Sequence, residues 1–258
     1  MRIDTCILIP ARISSTRLPK KLLIEIAGLP VIEHTRRRAL LNKYQIPVFV
    51  VTGDREIAET VVSFGGDVII TEEKHDNGTD RCAEAASKIN YKKIIILQGD
   101  EILIDPKNID SVIESCKGLN KKFILNAICK LSKPEELTDI SIVKCLLSEN
   151  NNVISLFRNT PLTCEKKIQL KHVYKVSGLF AYYKSTLSKI LMIPTGKIQE
   201  IELIEQFKLI ENDIQIKTIK INDDGNSLNT PTDLKQIRKI LDNNRYQRSI
   251  LRRIISLE

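Results

Sequence analysis

The sequence predicts a mixed α/β fold in which a mainly parallel sheet is covered by helices on both faces. Apolar runs with the length of buried strands alternate with amphipathic helical segments through the first half of the 258 residues. These runs are continuously apolar, which is typical of parallel strands that have helices on both sides. No segment has the composition of a flexible linker, so we expect residues 1–258 to form a single domain.

Seven elements are predicted in the first half of the chain. In order they are a strand at 5–11, a helix at 30–42, a strand at 46–52, a helix at 54–64, a strand at 67–71, a helix at 78–89 and a strand at 92–98. Asp54 is expected to cap the second helix, and Gly65 with Gly66 to end it. The apolar side of the first helix should face the sheet, and Arg36 to Arg38 should face solvent.

Strands predominate in the second half. They are predicted at 122–131, 141–148, 152–158, 172–183 and 214–221. An amphipathic helix is predicted from Ile198 to Glu211, with Ile201, Ile204 and Phe207 on one face. A closing helix is predicted from Thr232 to about Ile255.

The charge of the chain points to anionic partners. The net charge is +8, and a surplus of Lys and Arg attracts anions over long range. A solvated basic surface without a ligand is the alternative. Nucleic acid is not expected, because the chain has no long basic run, no Trp and only scattered aromatic residues. A small phosphorylated or acidic substrate accounts for the charge equally well.

The cysteines and the hydropathy pattern indicate where in the cell the protein is expected. The six cysteines form no CxxC pair, which excludes zinc-ribbon and thiol redox motifs. Such usage is typical of a reduced protein, so a cytoplasmic location is expected. The N-terminal segment does not resemble a signal peptide, and no apolar run approaches the roughly 20 residues that cross a bilayer. Membrane insertion is therefore not expected.

The loop after the first strand is the strongest candidate for a binding site. In an open parallel sheet, ligands bind outside the carboxyl ends of the strands. Four cations lie there within ten residues, namely Arg12, Arg17, Lys20 and Lys21. Three hydroxyl-bearing residues lie among them, namely Ser14, Ser15 and Thr16. The cations repel one another unless an anion separates them, and a triphosphate supplies that charge. A basic surface loop without a ligand is the alternative reading.

Segment IPARISSTRLPKK resembles the opening motif of the cytidylyltransferases that activate 3-deoxy-ulosonic acids, most of all the 3-deoxy-manno-octulosonate (Kdo) cytidylyltransferases. The resemblance implies a Rossmann-like nucleotidyltransferase (GT-A-like) fold. Its nucleotide-binding part would span about 1–120, and a smaller β-rich part for sugar binding and dimerisation about 121–230, before a C-terminal helix at about 231–258. It also implies Mg²⁺, CTP, an anionic sugar acid and a homodimer. Lys20 stands where the family has Gly, and its added charge is expected to tighten phosphate binding.

The resemblance also assigns residues on the nucleotide side. Segment HDNGTDR is similar to a nucleotide-binding motif of the family, with Asn77 in place of Ser. The implied nucleotide-binding set is Ala11, Arg12, Ser14, Ser15, Thr16, Arg17, Lys21, His75, Asn77, Gly78, Thr79, Arg81 and Gln98. Structural readings stand beside it: a packed His75, and Thr79 with Asp80 as helix caps.

A metal site is predicted after the fourth strand. A carboxylate at the carboxyl end of a strand suits Mg²⁺, which prefers oxygen ligands, and Asp100 is the best candidate. Glu101 is second, with a solvated loop charge as its alternative role. By resemblance, Asn229 stands where the family has a metal-binding Asp, which weakens the site unless Asp223 or Asp224 compensates. Arg12, Lys21 and Asp100 are the implied catalytic residues.

The sugar side resembles the family less closely. The implied sugar-binding residues are Lys144, Arg158, Glu205 and Gln206, with Arg158 holding the sugar carboxylate. Val176 stands where the family has His, and a Trp of the sugar segment is missing. These departures keep two alternatives open. One is the same chemistry on another acid, such as 8-amino-Kdo or a nonulosonic acid, and the other is a catalytically weak regulatory homologue.

Overall fold

The fold is described from a computed structural model that covers residues 4–15, 17–119, 122–222 and 227–257. Strands β1 to β11 are Thr5–Pro10, Glu25–Ile26, Leu29–Pro30, Val48–Thr52, Asp67–Ile70, Lys93–Leu97, Ile124–Lys130, Lys144–Leu147, Val153–Phe157, Tyr174–Tyr183 and Lys217–Lys220. Helices α1 to α10 are Val31–Leu40, Arg55–Ser63, Gly78–Ser87, Pro106–Ser115, Lys166–His172, Lys184–Ile190, Lys197–Glu202, Phe207–Ile210, Pro231–Asn243 and Arg245–Ile255. Three short 3₁₀ turns lie at Lys21–Leu23, Cys116–Gly118 and Pro134–Leu137.

The central sheet is mixed and mainly parallel, as the sequence predicts. Its strand order is β11-β7-β10-β6-β1-β4-β5, and β8 with β9 extends it from β10. Strand β1 is parallel to both β4 and β6, and β5 is parallel to β4. Strand β10 is antiparallel to β6 and β7, while β11 is parallel to β7. The α/β prediction is confirmed.

Apolar side chains cover both faces of the sheet. Along β1, Ile7 and Ile9 belong to one buried cluster, and Cys6 and Leu8 belong to a second on the opposite face. The first cluster includes residues of α1, α2, α4 and α9, and the second includes residues of α3 and α6. Burial on both faces explains why β1 is continuously apolar from Cys6 to Pro10. Within the described ranges, no helix has both the length and the hydropathy of a membrane span.

This topology brings three loops to one edge of the sheet. Strands β1, β4 and β6 run parallel, so the loops that leave their carboxyl ends lie side by side. A Cβ at Gly99, just after β6, would stand 3.0 Å from the carbonyl oxygen of Pro10, at the end of β1. The loops after β1 and β6 are thus in direct contact.

The prediction that Arg36 to Arg38 face solvent is wrong, because all three are buried. Buried Glu33 pairs with Arg36 at 2.7 Å and with Arg37 at 3.0 Å. Arg37 also donates to the carbonyl of Ile254 at 2.8 Å, and Arg38 donates to the carbonyl of Ile104 at 3.1 Å. Helix α10 packs against α1 and supplies the Ile254 carbonyl, and all three arginines find acceptors within the protein on a helix face that the sequence pattern assigns to water.

The helix predicted from Ile198 to Glu211 is interrupted. It forms as α7 and α8, and Leu203 between them adopts a left-handed φ of 53°. Ile204 and Phe207 are buried as predicted, but Ile201 is 77% exposed. The carbonyls of residues 202 and 203 accept hydrogen bonds from the Arg158 guanidinium, which replaces the helical partners they would otherwise have.

The closing helix also forms in two pieces, α9 and α10. The side chain of Asn244 accepts hydrogen bonds from the backbone N–H groups of Tyr246 and Gln247, at 2.9 and 3.1 Å. It therefore caps a new helix where the hydropathy pattern predicts a continuous one. At the start of α9, Thr230 and Asp233 form a capping box.

Candidate active site

A cleft of about 420 Å³ opens at the edge of the sheet where these loops meet. Its walls come from the loop after β1, the start of α3, the end of β6 and the segment before α9. The lining residues are Pro10, Ala11, Arg12, Ser14, Ser15, Arg17, Lys21, Leu22, His75, Asn77, Gly78, Arg81, Gln98, Gly99, Asp100 and Asn229. Of the predicted nucleotide-binding residues, the structure brings all but two to this cleft. Thr79 lies beside it, and Thr16 is outside the described residues.

The loop after β1 is held in place by its backbone. The N–H of Ala11 donates to the carbonyl of Val51 at 2.9 Å, and the N–H of Ile13 donates to the Asp54 carboxylate at 2.8 Å. Asp54 occupies the predicted cap position of α2, but its side chain makes no cap hydrogen bond. The carboxylate anchors the cationic loop instead, a role that nothing in the local pattern indicates.

Lys20 and Lys21 diverge, although they are neighbours in sequence. Lys20 has a left-handed φ of 50°, a conformation that Gly adopts most easily. Its ammonium pairs with Glu56 of α2 at 2.7 Å, and it does not line the cleft. The expectation that Lys20 tightens phosphate binding stays a prediction, and in the structure its ammonium pairs with Glu56 outside the cleft.

Lys21 turns inward and connects the two predicted metal ligands. Its ammonium pairs with the Asp100 carboxylate and donates to the side-chain oxygen of Asn229 at 3.4 Å. It also donates to the carbonyl of Leu228 at 3.1 Å. The guanidinium of Arg17 reaches the same Asn229 oxygen at 3.2 Å. Two cations, Arg17 and Lys21, thus lie close to one carboxylate and one amide oxygen. A phosphate bound at this point would contact both positive charges.

The donors at this point fit a magnesium ion that is held mainly by its substrate. Asp100 and Asn229 offer one carboxylate and one amide oxygen. In the parts of the chain that the structure describes, no group of three His, Cys, Asp or Glu residues forms a protein-only metal cage. Mg²⁺ commonly keeps several waters and binds through one or two carboxylates together with substrate phosphates. Asp223 and Asp224 lie outside the described residues.

The start of α3 approaches the cleft closely. A Cβ at Gly78 would stand 3.0 Å from both the Gln98 side chain and the Pro10 ring, so a side chain here would crowd both neighbours. The side chain of Asn77 accepts from the N–H of Asp80 at 2.8 Å and caps the helix. The cap predicted at Thr79 or Asp80 therefore lies at Asn77. Backbone N–H groups at a helix start favour an anion nearby.

Two residues of this motif make structural contacts. His75 meets the Glu84 carboxylate at 2.8 Å. Arg81 donates to the hydroxyl of Thr71 and to the carbonyls of Glu72 and Glu73, at 2.8 to 2.9 Å. Burial lowers the pKa of the Arg81 guanidinium. Arg81 thus lines the cleft and also fixes the loop that follows β5.

A second cavity of about 710 Å³ adjoins the cleft and shares Arg12, Asn77, Gly78 and Gln98 with it. One wall is apolar and consists of Val143, Val176, Phe180, Leu203 and Ile204. Glu205 and Gln206 line it as well. The two cavities therefore meet along the residues that they share.

Glu205 occupies an unusual environment in this cavity. Its carboxylate accepts a hydrogen bond from the Thr79 hydroxyl at 2.9 Å, which turns Thr79 away from the cleft. Burial raises the pKa of Glu205 to about 7, and nearby Asp80 contributes in the same direction. The environment therefore favours the neutral form of this side chain more than water does.

Lys144 and Arg158, predicted to bind the sugar, line neither cavity. Lys144 is fully buried, and its ammonium donates to three backbone carbonyls. The Arg158 guanidinium likewise donates to three carbonyls. Both side chains are engaged with the protein's own backbone.

Glu101 is buried, which excludes the solvated role considered for it. Its carboxylate accepts from the N–H of Gly178 at 3.0 Å and from the Ser227 hydroxyl at 2.8 Å. A Cβ at Gly178 would overlap this carboxylate. Glu101 thus fixes the segment that carries Asn229. Sequence reasoning missed this role, because the partners lie 77 and 126 residues away.

Comparison with known proteins agrees with this geometry. The family described as Cytidylyltransferase matches residues 6–219. The 3-deoxy-manno-octulosonate cytidylyltransferase of Chlorobium limicola is 34% identical over 92% of this chain and 97% of its own length. The 8-amino-3,8-dideoxy-manno-octulosonate cytidylyltransferase of Shewanella woodyi is 33% identical over 90% of this chain and 96% of its own.

Solved structures show the same fold. CMP:2-keto-3-deoxy-manno-octonic acid synthetase, solved in complex with CTP, superposes with a TM-score of 0.85 at 28% identity. The match covers 93% of this chain and 98% of that one. The inositol-1-phosphate CTP transferase of T. maritima, at 16% identity and a TM-score of 0.62, shares the fold alone. The chain therefore belongs to the cytidylyltransferase family, among the 3-deoxy-manno-octulosonate cytidylyltransferases, and is a nucleotidyltransferase enzyme.

Proposed function

We propose that this enzyme transfers the cytidylyl group of CTP to the sugar acid Kdo, giving CMP-Kdo and pyrophosphate for surface polysaccharide synthesis. The observation that carries the proposal is the convergence of the cationic loop, the start of α3 and Asp100 on one cleft, with a second cavity beside it. The names of the relatives, and the CTP bound to the structural neighbour, support the same substrates.

The reaction forms one bond and breaks one. A sugar hydroxyl attacks the α-phosphate of CTP, the bond to the β-phosphate breaks, pyrophosphate leaves, and the hydroxyl proton passes to solvent. Such a step depends on positioning and on neutralisation of developing charge. Arg12, Arg17 and Lys21 stand where they can hold the phosphates, and all three line the cleft.

Magnesium is the cofactor that the donor set suits, with Asp100 and Asn229 as its protein ligands. When bound, the ion neutralises phosphate charge and polarises the α-phosphate. Lys21 contacts both ligands in the free protein, so we propose that its ammonium moves onto the phosphates when the substrate binds.

The sugar acid is proposed to occupy the second cavity, where Glu205 and Gln206 offer polar contacts. A homodimer is proposed as well. Large apolar side chains are exposed on the part of the chain between 121 and 230, among them Ile140, Met192 and Ile201. A cytoplasmic location is proposed because all six cysteines are free thiols, five of them buried.

Steady-state release of pyrophosphate tests the proposal across Kdo, 8-amino-Kdo and a nonulosonic acid, with CTP and with each other nucleoside triphosphate. Kdo with CTP should give the highest kcat/KM, and Asp100→Asn should lose most of it. The apolar Val176 and the Shewanella woodyi relative favour 8-amino-Kdo as the second candidate. If no acid is turned over at an ordinary enzyme rate, the weak regulatory homologue replaces the proposal.

A further inference from the structure

The loop that leaves β6 carries Asp100, and we call residues 98–105 the Asp100 loop. Its path consists of two consecutive tight turns. The N–H of Glu101 donates to the carbonyl of Gln98, and the N–H of Ile104 donates to the carbonyl of Glu101, both at 3.1 Å. Because the two turns share a residue, the position of Asp100 depends on where the end of the loop is held.

Helix α1 holds the Asp100 loop at two points. The Thr35 hydroxyl donates to the carbonyl of Gly99 at 2.9 Å, and Nη1 of Arg38 donates to the carbonyl of Ile104 at 3.1 Å. Burial lowers the pKa of the Arg38 guanidinium to about 10. Its Nε and Nη2 are buried and have no hydrogen-bond partner among the residues that the structure describes. A cation buried with so few partners lowers stability, so stability alone does not account for its contact with the loop.

Helix α10 makes two further contacts with the Asp100 loop. The side-chain amide of Gln247 donates to the carbonyl of Leu103 at 3.0 Å. The Tyr246 hydroxyl lies 2.9 and 3.0 Å from the two carboxylate oxygens of Asp105. The same carboxylate accepts from the N–H of Lys107 and caps α4. Tyr246 thus connects α10 to the point where the loop ends and α4 begins.

Helix α10 also has contacts that fix it independently of the loop. Its Ile250 and Ile254 form a buried apolar cluster with Leu29, and Arg37 donates to the carbonyl of Ile254 at 2.8 Å. The helix can therefore stay in place when its polar contacts with the loop are removed. It lies beyond residues 6–219, the segment that the cytidylyltransferase family matches, so the family match assigns it no role.

We propose that Tyr246 and Gln247 are positioning residues that fix the Asp100 loop, and through it the Asp100 carboxylate, for the transfer reaction. This rests on the proposed function, in which Asp100 holds magnesium beside the phosphates of CTP. Groups outside the ligand set commonly tune metal affinity in this way, because they determine the direction in which a ligand points.

The test removes each hydrogen bond and keeps the size of the side chain. Tyr246→Phe loses only the hydroxyl, and Gln247→Met loses the amide. Arg248→Met is the first control, because Arg248 is an exposed residue of α10 that lines the groove between α9 and α10. Tyr91→Phe is the second control, because Tyr91 lies just before β6, at the opposite end of that strand from Asp100.

The first measurement is manganese binding, followed by electron paramagnetic resonance with the enzyme in excess over CTP and with no sugar acid. The Kd for Mn²⁺ should rise about tenfold in Gln247→Met and about threefold in Tyr246→Phe, whose ring is partly exposed to water. Both controls should stay within about twofold of wild type. In turnover, the half-saturating magnesium concentration should rise by the same factors while KM for Kdo is unchanged. Wild-type metal affinity in both loop variants would refute the proposal.

Hydrogen exchange supplies a readout that needs neither nucleotide nor metal. Backbone amides of residues 99–105 should exchange faster in both loop variants, while those of β1 and β4 should match wild type. Faster exchange throughout the sheet with unchanged metal affinity would mean that α10 has a structural role only, which contradicts the proposal. Tyr246→Phe keeps the ring, so it provides the test even if Gln247→Met does not fold. A wild type that binds no Mn²⁺ with CTP, but whose loop exchanges faster in the variants, would refute the proposed function rather than the contact between α10 and the loop.

Discussion

Replacing Asn229 by Asp restores a carboxylate where the family has one, and the structure predicts two separate effects. The side-chain oxygen of Asn229 lies 3.2 Å from Arg17 and 3.4 Å from Lys21. A negative charge at this point would pair with both cations in the free protein. With nucleotide present, the phosphates would take those cations and leave the new carboxylate to magnesium.

The size of each effect follows from these distances. Two unit charges at this separation attract by about 1 kcal/mol in water, and exposed pairs measure between roughly 0 and 1 kcal/mol. Arg17 is exposed, so we expect a total gain in unfolding free energy of about 1 kcal/mol. This corresponds to a rise in Tm of roughly 2–4 °C. A second charged ligand should lower the half-saturating magnesium concentration about tenfold, equivalent to about 1.4 kcal/mol.

The assay is a magnesium titration of turnover at saturating CTP and sugar acid, paired with thermal unfolding in the absence of both. Asn150→Asp adds the same charge in the exposed turn between β8 and β9 and serves as the control. It should change neither quantity beyond error. A variant Asn229→Asp with unchanged or weaker magnesium dependence would show that Asn229 is not a metal ligand in this enzyme.

Three further predictions use contrasts that the chain itself provides. Gly178→Ala should lower the unfolding free energy measured in urea by about 2 kcal/mol, because the added Cβ overlaps the buried Glu101 carboxylate. Gly118→Ala adds its Cβ in open space and should leave the unfolding free energy unchanged, so equal losses in the two variants would contradict the close contact at Gly178. Lys21→Met should reduce kcat/KM for CTP about 100-fold, and Lys20→Met should reduce it less than about threefold. A larger loss in Lys20→Met than in Lys21→Met would exclude the proposed contact between Lys21 and the phosphates. Burial raises the pKa of Glu205 from 4.5 to about 7, so the unfolding free energy of the wild type should fall as pH rises through that range. Urea titrations of Glu205→Gln should show a smaller fall, and pH profiles that run parallel for the two proteins would refute this role of Glu205.

The sequence predicted which residues come together at the cleft because the determinants there are local. Arg12 and Asp100 closely follow buried strands, Lys21 lies in the same loop as Arg12, and the rule that parallel strands end at one edge of a sheet brings such residues together. Nearly all of the predicted nucleotide-binding residues that the structure describes line the same cleft. Their contacts with substrate stay a prediction.

The remaining differences arise from contacts between distant parts of the chain. Arg37 looks like a solvent-facing residue until the carbonyl of Ile254 meets it. The helix predicted across Leu203 is interrupted because Arg158, 45 residues earlier, takes its carbonyl. Hydrophobic periodicity reports which face of a helix is apolar, but it does not report which distant cation will compete for a backbone oxygen.

The measurement that tests the central claim most directly is a phosphorus NMR time course of CTP, Kdo and magnesium with the enzyme. The account predicts that a phosphodiester signal of CMP-Kdo and the pyrophosphate signal grow in equal amounts from the first minutes, as CTP disappears. CMP with pyrophosphate and no phosphodiester from the start, or CTP that persists with every sugar acid supplied, would contradict it.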